Sequence, residues 1–386
     1  MPAVPKPCSP LPPNLPGDLS PGPLLAMSGA YWRSCALHAG VLLDVFTPLA
    51  ETPATPEDLA PRLGCEPRAL GMLLRALCAM GLLVRQATWQ AAGQGGLPGQ
   101  GVYAPTDLAR AFLVRSSPRS MCHIIRHHHQ LVDSFGRLDE SVRSGRANRS
   151  GVGDGPTARE DFLLGMFNIA MGIAPRLAGQ LDALLVGAGL PGLPKSGGRS
   201  RLLDLGGGPG TYAIQFCLAH PGLTAAIFDL PATRPFAEAT VARFGVGDRV
   251  DFLPGDYTTD PVPGGFDLAW LSQILHAEGP DMAASVVRRA AQALNPGGLL
   301  LVHEFLLDDA QDNAQDNGQD GPEFAALFSL NMLLGTAGGQ SYAEGEVRAM
   351  LEQAGLTRVC RLGFAGPNDS GIIVGMKGGL RAGAQG

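Results

Sequence analysis

The chain has 386 residues, of which 45% are hydrophobic and 17% charged, with a formal net charge of −6 and a pI near 5.8. This length is enough for two or three domains, each with its own hydrophobic core. The acidic balance excludes a general nucleic-acid-binding surface, which has to be basic, and no apolar run approaches the ~20 residues that cross a membrane.

The N-terminal 22 residues are rich in proline and are predicted to be a disordered lead-in. They lack the basic-then-apolar order of a secretion signal, so we expect a cytoplasmic protein. Residues 379–386 are predicted to be a disordered tail. The seven cysteines stand singly, without a C-x-x-C pair, which favours reduced thiols over a disulfide framework or a zinc site.

The first folded segment is predicted to be mostly helical. Apolar residues at i, i+4 steps over residues 24–50 predict one or two helices with a broad apolar face. Thr55, followed by Pro56, is the expected N-cap of a further helix. Another helix is predicted from Glu66 to Met80, where Gly81 ends it.

Two short strands, 82–84 and 102–104, are expected to follow on either side of a glycine-rich excursion at 93–101. Helix, turn, helix and hairpin is the outline of a winged helix. Such a module can bind DNA through its second helix, but here that helix carries only Arg68 and Arg75 among mostly apolar residues. A structural module is therefore favoured over a DNA-binding one.

Residues 107–190 are predicted to be further helices, and one of them contains a histidine cluster, His123 and His127 to His129. His123 and His127 have the i, i+4 spacing of metal ligands, but no acidic or cysteine partner lies nearby in sequence. We therefore expect pocket-lining or solvated histidines and no metal. A later apolar helix, 162–175, contains Asn168, which is either a pocket residue or an ordinary buried amide.

A glycine turn follows the Pro/Gly/Ser-rich linker at 191–200, which is the expected start of a new domain. The pattern Asp-x-Gly-x-Gly-x-Gly places Asp204, Gly206, Gly208 and Gly210 after a short apolar run. Thr211 stands where a dinucleotide-binding G-x-G-x-x-G turn needs its third glycine. The pattern is similar to motif I of the class I S-adenosylmethionine (SAM) methyltransferases, with a generic nucleotide-binding or purely structural turn as the alternative.

Alternating strands and helices after residue 200 predict a doubly wound parallel sheet. The two last apolar runs, separated by a Gly-Pro-Asn-Asp turn, predict an antiparallel hairpin that closes the sheet. The polar, repetitive segment 308–321 is predicted to be a mobile insertion. The predicted strands are 201–205, 224–228, 250–253, 266–271, 299–303, 358–364 and 371–376.

Polar residues follow the predicted strands, at the edge of a parallel sheet where ligands bind. Asp229 is suited to accept hydrogen bonds from two ribose hydroxyls, or else to cap a helix. Asp256 is suited to an adenine amino group and Tyr257 to stacking on its ring. His276 follows the fourth strand, where a general base would stand, although a lone histidine there is as often structural. Glu304 follows the fifth strand, which is expected to neighbour the fourth, and is expected to orient the imidazole.

In these motifs, residues 24–378 resemble the SAM-dependent small-molecule O-methyltransferases of the plant caffeate/hydroxyindole type and their bacterial relatives. Further matching motifs are Asn-Pro-Gly-Gly (295–298), Phe-Asn-Ile-Ala-Met (167–171) and Asn-Met-Leu-Leu (331–334). The resemblance implies an N-terminal winged-helix dimerisation domain at 23–120, a helical linker lining the acceptor pocket at 121–195, and a Rossmann-like SAM-dependent methyltransferase domain at 196–378. It also implies a homodimer.

The resemblance assigns a role to each candidate site residue. His276 is implied as the general base and Glu304 as its orienting acid. The residues expected to bind SAM are Asp204, Gly206, Gly208, Gly210, Asp229, Leu230, Asp256, Tyr257 and Ser272. The residues expected to bind the acceptor are Met166, Phe167, Asn168, Met171, Asn331 and Met332.

Two departures from the family pattern bear on the reaction. Ala277 and Glu278 stand where Asp-Trp is usual, which removes an aromatic cover on the adenine, and Ser341 replaces a second acid. The expected reaction is methyl transfer from SAM to a hydroxyl of a small aromatic or enolic molecule. The alternatives are transfer to sulfur or carbon, an altered reaction on the same fold, or a metabolite-sensing regulator that binds DNA.

Overall fold

The structure is a computed structural model that describes residues 20–87, 101–149, 155–193, 199–309 and 321–379. Most of the predicted lead-in, glycine-rich excursion, insertion and tail lie outside the described residues. The chain divides into two compact units, residues 1–110 and 111–386. The domain boundaries expected from sequence stay predictions.

The first unit contains five helices, the start of a sixth and a two-stranded sheet within its described residues. Three short helices occupy the segment where the sequence predicted one or two, because a turn at Gly29 and a left-handed Asp44 (φ 54°) interrupt the apolar run. The bounds are α1 Gly22–Ser28, α2 Tyr31–Leu42, α3 Phe46–Glu51, α4 Pro56–Leu63, α5 Pro67–Ala79, β1 Leu83–Ala87, β2 Gly101–Pro105 and α6 Asp107–Phe112.

Local capping sets where α4 and α5 begin. The Thr55 hydroxyl accepts a hydrogen bond from the Asp58 backbone N–H at 3.2 Å, as predicted. The Glu66 carboxylate accepts from two backbone N–H groups at the start of α5. Strands β1 and β2 pair in antiparallel fashion after α5, so the predicted helix, helix and hairpin follow one another in the expected order.

The first unit buries one set of apolar residues and leaves another exposed. Val45, Phe46, Leu59 and Leu74 have no exposed surface and form its core. On α1 and the first turn of α2, by contrast, a run of large apolar side chains is 60–72% exposed, and we call it the N-terminal apolar face. Its members are Leu24, Leu25, Met27, Tyr31 and Trp32.

The second unit begins with four helices that precede the sheet. They are α7 Cys122–Phe135, α8 Leu138–Ser144, α9 Pro156–Met171 and α10 Ala174–Gly187. Within the described ranges no single helix is both long and apolar enough to cross a membrane, and α9 with α10 reaches that length only as a pair bent by 51°.

A seven-stranded sheet forms the centre of the second unit, with strand order β5-β4-β3-β6-β7-β9-β8. The first five strands pair in parallel, and β9 and β8 pair antiparallel at one edge. The predicted doubly wound sheet and its closing hairpin are confirmed. The bounds are β3 Ser200–Leu205, β4 Leu223–Asp229, β5 Val250–Pro254, β6 Phe266–Ser272, β7 Leu294–Phe305, β8 Leu356–Arg361 and β9 Ser370–Lys377.

Two hydrophobic cores cover the two faces of this sheet. Helices α10, α11 (Thr211–Ala219) and α12 (Arg234–Phe244) contribute to one core, which contains Trp270. Helices α13 (Pro280–Ala293) and α15 (Glu344–Gln353) contribute to the other, which contains Leu271. Successive residues of a strand point to opposite faces, so neighbours in β6 enter different cores. A further apolar helix, α14 (Glu323–Gly335), lies between β7 and α15 in the chain.

The strand order reverses between β3 and β6, and this reversal positions the site. The connections from β3 run outward through β4 to β5, whereas β6 starts the other half of the sheet. The carboxyl ends of two neighbouring strands therefore open a crevice at this point, which is where doubly wound sheets bind ligands. The glycine turn follows β3, and His276 follows β6.

Candidate active site

The glycine turn has a left-handed backbone at three alternate positions, with φ of 68° at Gly206, 54° at Gly208 and 76° at Gly210. A Cβ at Gly206 would overlap the Ile274 side chain, and one at Gly210 would overlap Ile227. At Gly208 a Cβ would meet no described atom within 4 Å. Two glycines therefore allow close packing, and the third faces open space.

Asp204 lies beneath this turn. Its side chain is 1% exposed, and its carboxylate accepts a hydrogen bond from the Ala213 N–H at 3.1 Å in the first turn of α11. Burial raises the pKa of Asp204 to about 7, with the Ala213 bond opposing and the charge of Asp229 adding to the shift. The buried carboxyl joins the end of β3 to the start of α11.

Asp229 joins the glycine turn to the end of β4. Its Oδ2 accepts from the Gly208 N–H at 2.8 Å, and its Oδ1 accepts from the Leu230 N–H at 2.7 Å and the Thr233 hydroxyl at 2.9 Å. These contacts lie just before a short 3₁₀ turn, Pro231–Thr233, and α12, and neither of these two elements has a side-chain N-cap. A carboxylate has about four acceptor positions, so acceptor capacity remains. Leu230 is 50% exposed.

Glu278 takes the place of the family's aromatic cover and contacts Tyr257. The Tyr257 hydroxyl donates to Glu278 Oε1 at 3.3 Å, and burial together with the Glu278 charge raises the pKa of Tyr257. Asp256 accepts from the Thr258 N–H and hydroxyl at 2.8 and 2.6 Å. At the end of β6, the Ser272 hydroxyl shares a hydrogen bond of 2.9 Å with His303 Nδ1.

His276 and Glu304 lie in direct contact. His276 stands in a 3₁₀ turn, Leu275–Ala277, just after β6, and its Nδ1 is 2.7 Å from Glu304 Oε2. The other carboxylate oxygen accepts from the backbone N–H groups of Ile274 and Leu275 at 2.8 Å each. Glu304 is 2% exposed, whereas the His276 side chain keeps 13%. The carboxylate is thus fixed on three sides, and the imidazole retains access to a ligand.

Phe328 of α14 forms the wall beside this pair. Its ring meets the His276 ring edge-on, with centroids 4.8 Å apart, and it also packs against Phe305 at 5.0 Å. One turn further along α14, Asn331 Oδ1 accepts from Arg149 Nη1 at 3.3 Å. Met332 is 8% exposed. The sequence singled out neither Phe328 nor Arg149.

The candidate residues on α9 do not share one environment. Phe167 is 8% exposed and packs on α12, with its ring 6.3 Å from Phe244. Met171 Sδ accepts from the Gln215 amide at 3.7 Å. Asn168 Oδ1 is buried and has no hydrogen-bond partner among the described residues, while Met166 is half-buried. Asn168 is therefore the member of this group with an unused polar atom.

Ser341 has a structural contact. It is 4% exposed, and its hydroxyl donates to the Ala325 carbonyl of α14 at 2.7 Å. Its backbone N–H donates to the Ser329 hydroxyl at 3.1 Å, and the next residue, Tyr342, donates its hydroxyl to the Glu278 carbonyl at 2.6 Å. Ser341 thus fastens α14 at the position where the family carries a second acid.

The histidine cluster has an acidic partner that its sequence neighbourhood does not contain. Asp161 of α9 lies 2.8 Å from His123 Nδ1, and the contact spans 38 residues of chain. His127 is 7% exposed and packs edge-on against Phe162, and burial lowers its pKa to about 4. Across the described ranges, no group of three His, Cys, Asp or Glu side chains is placed to hold a metal ion.

Comparison with known proteins identifies the family. A family model described as O-methyltransferase domain matches residues 195–357, and one described as O-methyltransferase dimerisation domain matches residues 25–115. The tetracenomycin polyketide synthesis 8-O-methyl transferase TcmO of Streptomyces glaucescens is 32% identical over 91% of this chain and 96% of its own length. The chain belongs to the SAM-dependent O-methyltransferases.

Two further relatives agree with this membership. The 3-hydroxy-5-methyl-1-naphthoate 3-O-methyltransferase of Streptomyces sahachiroi is 29% identical over 94% of this chain and 97% of its own. A solved structure described as PigF with SAH is 28% identical and superposes with a TM-score of 0.76 over 93% of this chain and 100% of that one. The cofactor of this O-methyltransferase is S-adenosyl-L-methionine, as the sequence predicted.

The residues at the crevice fit this cofactor. Gly208 offers a backbone approach without a Cβ, and Asp229 keeps acceptor capacity for hydroxyl groups. Thr211 Oγ1, at the start of α11, and Gln273 Oε1, just after β6, are buried without a hydrogen-bond partner among the described residues. Buried polar atoms normally have a partner, and a polar ligand bound at this edge of the sheet would supply one to each of these two.

Proposed function

We propose that this O-methyltransferase methylates a hydroxyl group of a small aromatic or enolic molecule, with His276 as the general base. The observation that carries the proposal is the 2.7 Å contact between His276 Nδ1 and the buried Glu304 carboxylate. A histidine oriented by a carboxylate at the cofactor crevice is the arrangement that general-base catalysis requires.

The pair supports a fixed proton position. An ionised carboxylate oxygen accepts and does not donate, so His276 Nδ1 carries the proton toward Glu304 and Nε2 keeps its lone pair for the acceptor hydroxyl. An ordinary phenol has a pKa of about 10 and an ordinary histidine about 6.5. Full proton transfer before the reaction is therefore uphill by about 3–4 units, and we expect the proton to move as the methyl group does. Glu304 then stabilises the imidazolium.

The chain's other task is alignment. S-adenosyl-L-methionine, when bound, supplies a methyl group activated by a positively charged sulfur. We assign its binding to the glycine turn with Asp204 beneath it, to Asp229 and Leu230 for the ribose, to Asp256 and Tyr257 for the adenine, and to Ser272. Correct placement of two reactants contributes on the order of 7–11 kcal/mol in favourable intramolecular systems, so alignment is the larger of the two effects.

The acceptor class follows from the relatives and the pocket residues together. The relatives named above act, by their names, on a tetracenomycin polyketide intermediate and on a hydroxynaphthoate. Phe328, Asn331, Met332 and Asn168 supply an aromatic edge, a thioether and amides, which suit a planar ring system with polar substituents. We therefore propose a fused-ring aromatic acceptor with Met166, Phe167 and Met171 completing the pocket.

The deciding experiment replaces His276 by Ala and measures SAM consumption with a panel of hydroxynaphthalenes, thiols and enols. We expect the kcat for hydroxyl acceptors to fall by about 10²–10⁴ while the Kd for SAM changes less than about threefold. His220→Gln is the control, since His220 binds the Ala178 carbonyl away from the crevice. An equal loss of turnover and SAM affinity would contradict the base assignment. Turnover with thiols alone would favour sulfur as the acceptor atom.

We propose further that the protein is a homodimer joined through its N-terminal unit. In this proposal the unit is a winged-helix module that serves dimerisation and not DNA binding. The family match at residues 25–115 and the exposed N-terminal apolar face support this. Isolated large apolar side chains are ordinary on a surface, but a contiguous set is typical of an interface. We keep the boundaries 23–120, 121–195 and 196–378 as the proposed domains.

A further inference from the structure

Arg149 is held on both sides in the segment that follows α8. Its backbone N–H donates to the Leu334 carbonyl at 3.1 Å. The preceding residue, Asn148, donates its side-chain amide to the Ser134 carbonyl of α7 and to the Arg137 carbonyl just before α8. The guanidinium lies against Gly335, where a Cβ would come within 2.8 Å of Cζ and 2.9 Å of Nε. Glycine at position 335 therefore makes room for this cation.

No carboxylate neutralises Arg149 within the described residues. Its guanidinium donates to the neutral Asn331 amide, and its Nε is buried without a hydrogen-bond partner in the part of the chain that the structure describes. The neighbouring carboxylate, Asp161, is already engaged by His123 at 2.8 Å and Arg126 at 3.8 Å. A partly buried cation without a counter-charge is energetically unfavourable, so an anionic ligand that supplied the charge would stabilise it.

The α14 residues that contact the cation and the proposed base lie one helical turn apart. Phe328, which touches the His276 ring, and Asn331, which binds Arg149, are three residues apart on α14 and share one face of the helix. That separation is ~4.5 Å along the helix axis. A planar molecule lying on this face would present one edge to His276 and the other to Arg149.

Arg149 is the source of positive charge in this region, because the neighbouring His127 is neutral. His127 is influenced by the charges of both Arg149 and Asp161, and burial lowers its pKa to about 4, so it is neutral near pH 7. The charge of Arg126 is offset by Asp161. A neutral histidine beside a cation adds hydrogen-bonding capacity without competing for an anion.

We propose that Arg149, positioned by Asn331 and Gly335, binds an anionic oxygen of the acceptor, such as a carboxylate, at the edge opposite the methylated hydroxyl. This inference rests on the proposed function and narrows its acceptor to acidic hydroxyarenes. A guanidinium matches a carboxylate with two parallel N–H groups, and such charged hydrogen bonds are stronger than neutral ones.

The test compares 3-hydroxy-1-naphthoate with its methyl ester, which keeps the ring and hydroxyl but lacks the charge. Equilibrium binding and kcat/KM are measured for the unsubstituted enzyme and for Arg149→Gln, Arg149→Lys and Gly335→Ala. We expect Arg149→Gln to lower the affinity and kcat/KM for the acid at least tenfold more than those for the ester. The change should appear mainly in Kd and KM. Arg149→Lys should recover part of this, and Gly335→Ala should act in the same direction by displacing the guanidinium.

Arg146→Gln is the matched control, because Arg146 belongs to the same segment and is exposed. Thermal melting of each variant identifies any that does not fold, and the remaining Arg149 and Gly335 variants still decide the question. Equal losses for acid and ester, an equal effect of Arg146→Gln, or an unsubstituted enzyme that binds the acid no better than the ester would each overturn the proposal. Hydroxynaphthalene methylation that depends on His276 would meanwhile leave the proposed function standing.

Discussion

Glu304 has two oxygens with different partners, and this difference fixes the state of His276. Oε1 accepts two backbone N–H groups, from Ile274 and Leu275, and Oε2 faces His276 Nδ1. Because both backbone groups are N–H donors, the atom at the Oε1 position must be a hydrogen-bond acceptor. The backbone therefore decides which carboxylate oxygen meets the imidazole, and the imidazole tautomer follows from it.

For Glu304→Gln we expect a loss of turnover with nearly normal SAM affinity. The amide oxygen must face the two N–H groups, so the amide NH2 donates to His276 Nδ1 and the ring proton moves to Nε2, where it blocks base catalysis. A wrong tautomer of this kind lowers kcat by about 10⁴ in the serine-protease case, and we expect on the order of 10²–10⁴ here. Single-turnover kinetics and calorimetric titration of SAM measure the two quantities. Unchanged kcat would show that Glu304 does not set the tautomer.

The raised pKa of Asp204 predicts that the free energy of unfolding depends on pH. The substitution Asp204→Asn should remove this contribution to the pH dependence. Burial raises its pKa from 3.8 to about 7, so between these values the folded protein binds more protons than the unfolded chain. The stability contributed by this group is present below its unfolded pKa and is lost as pH rises through 7. Relative to the wild type, the variant should gain about 2–3 kcal/mol in free energy of unfolding between pH 5 and pH 8.

Urea unfolding of both proteins at the two pH values checks this, since all other titrating groups are shared and cancel in the comparison. A wild-type minus variant difference that stays constant from pH 5 to pH 8 would mean that Asp204 titrates normally in the folded protein.

At the scale of one element, glycine has two roles in the turn between β3 and α11. It allows close packing at Gly206, and it leaves room for the cofactor at Gly208. Alanine at Gly206 adds left-handed strain and an overlap with Ile274, so we expect a loss of about 2–4 kcal/mol in free energy of unfolding. Alanine at Gly208 adds strain alone, about 1–2 kcal/mol, but places a methyl group where the cofactor approaches and should weaken SAM binding.

Gly245→Ala provides the control for this pair, because Gly245 has a φ of 65° at the end of α12 and open space at its Cβ. It should cost the same ~1–2 kcal/mol of strain with normal SAM affinity. Denaturant midpoints and SAM titrations report the two effects. If Gly206→Ala lowers the free energy of unfolding no more than Gly245→Ala does, the overlap with Ile274 adds no destabilisation and the prediction for Gly206 is wrong.

For the whole molecule, the N-terminal apolar face predicts association. Trp32 is 69% exposed within the N-terminal unit, and burying such a side chain contributes about 1.5–3 kcal/mol. Trp32→Glu should therefore shift the protein from dimer to monomer in light scattering coupled to size-exclusion chromatography. Val142→Glu is the control, since Val142 is also apolar and is 61% exposed in the second unit. A wild-type monomer, or a Trp32→Glu dimer of unchanged affinity, would contradict the proposed interface.

Sequence alone determined the features that depend on local pattern. The glycine turn, the strand-helix alternation and the cap at Thr55 are each specified by residues a few positions apart, so they could be predicted. Most strand bounds lie within a residue or two of the prediction, whereas β7 begins five residues earlier, at Leu294, and β8 ends three residues earlier, at Arg361. The nearness of His276 to Glu304 could also be anticipated, because neighbouring parallel strands bring their carboxyl ends together. Helix α14 was not predicted as a helix, since it is apolar on most sides and lacks a clear helical period.

Tertiary structure decided the contacts that join distant parts of the chain. Arg149 meets Asn331 across 182 residues, His123 meets Asp161 across 38, and Ser341 binds Ala325 where the family pattern suggests an acid beside the base. Such pairs leave no periodic signal, because each depends on how helices pack and on which neighbouring polar groups are already satisfied. The cofactor could therefore be predicted from a short motif, whereas the chemistry of the acceptor pocket depends on side chains that only folding brings together.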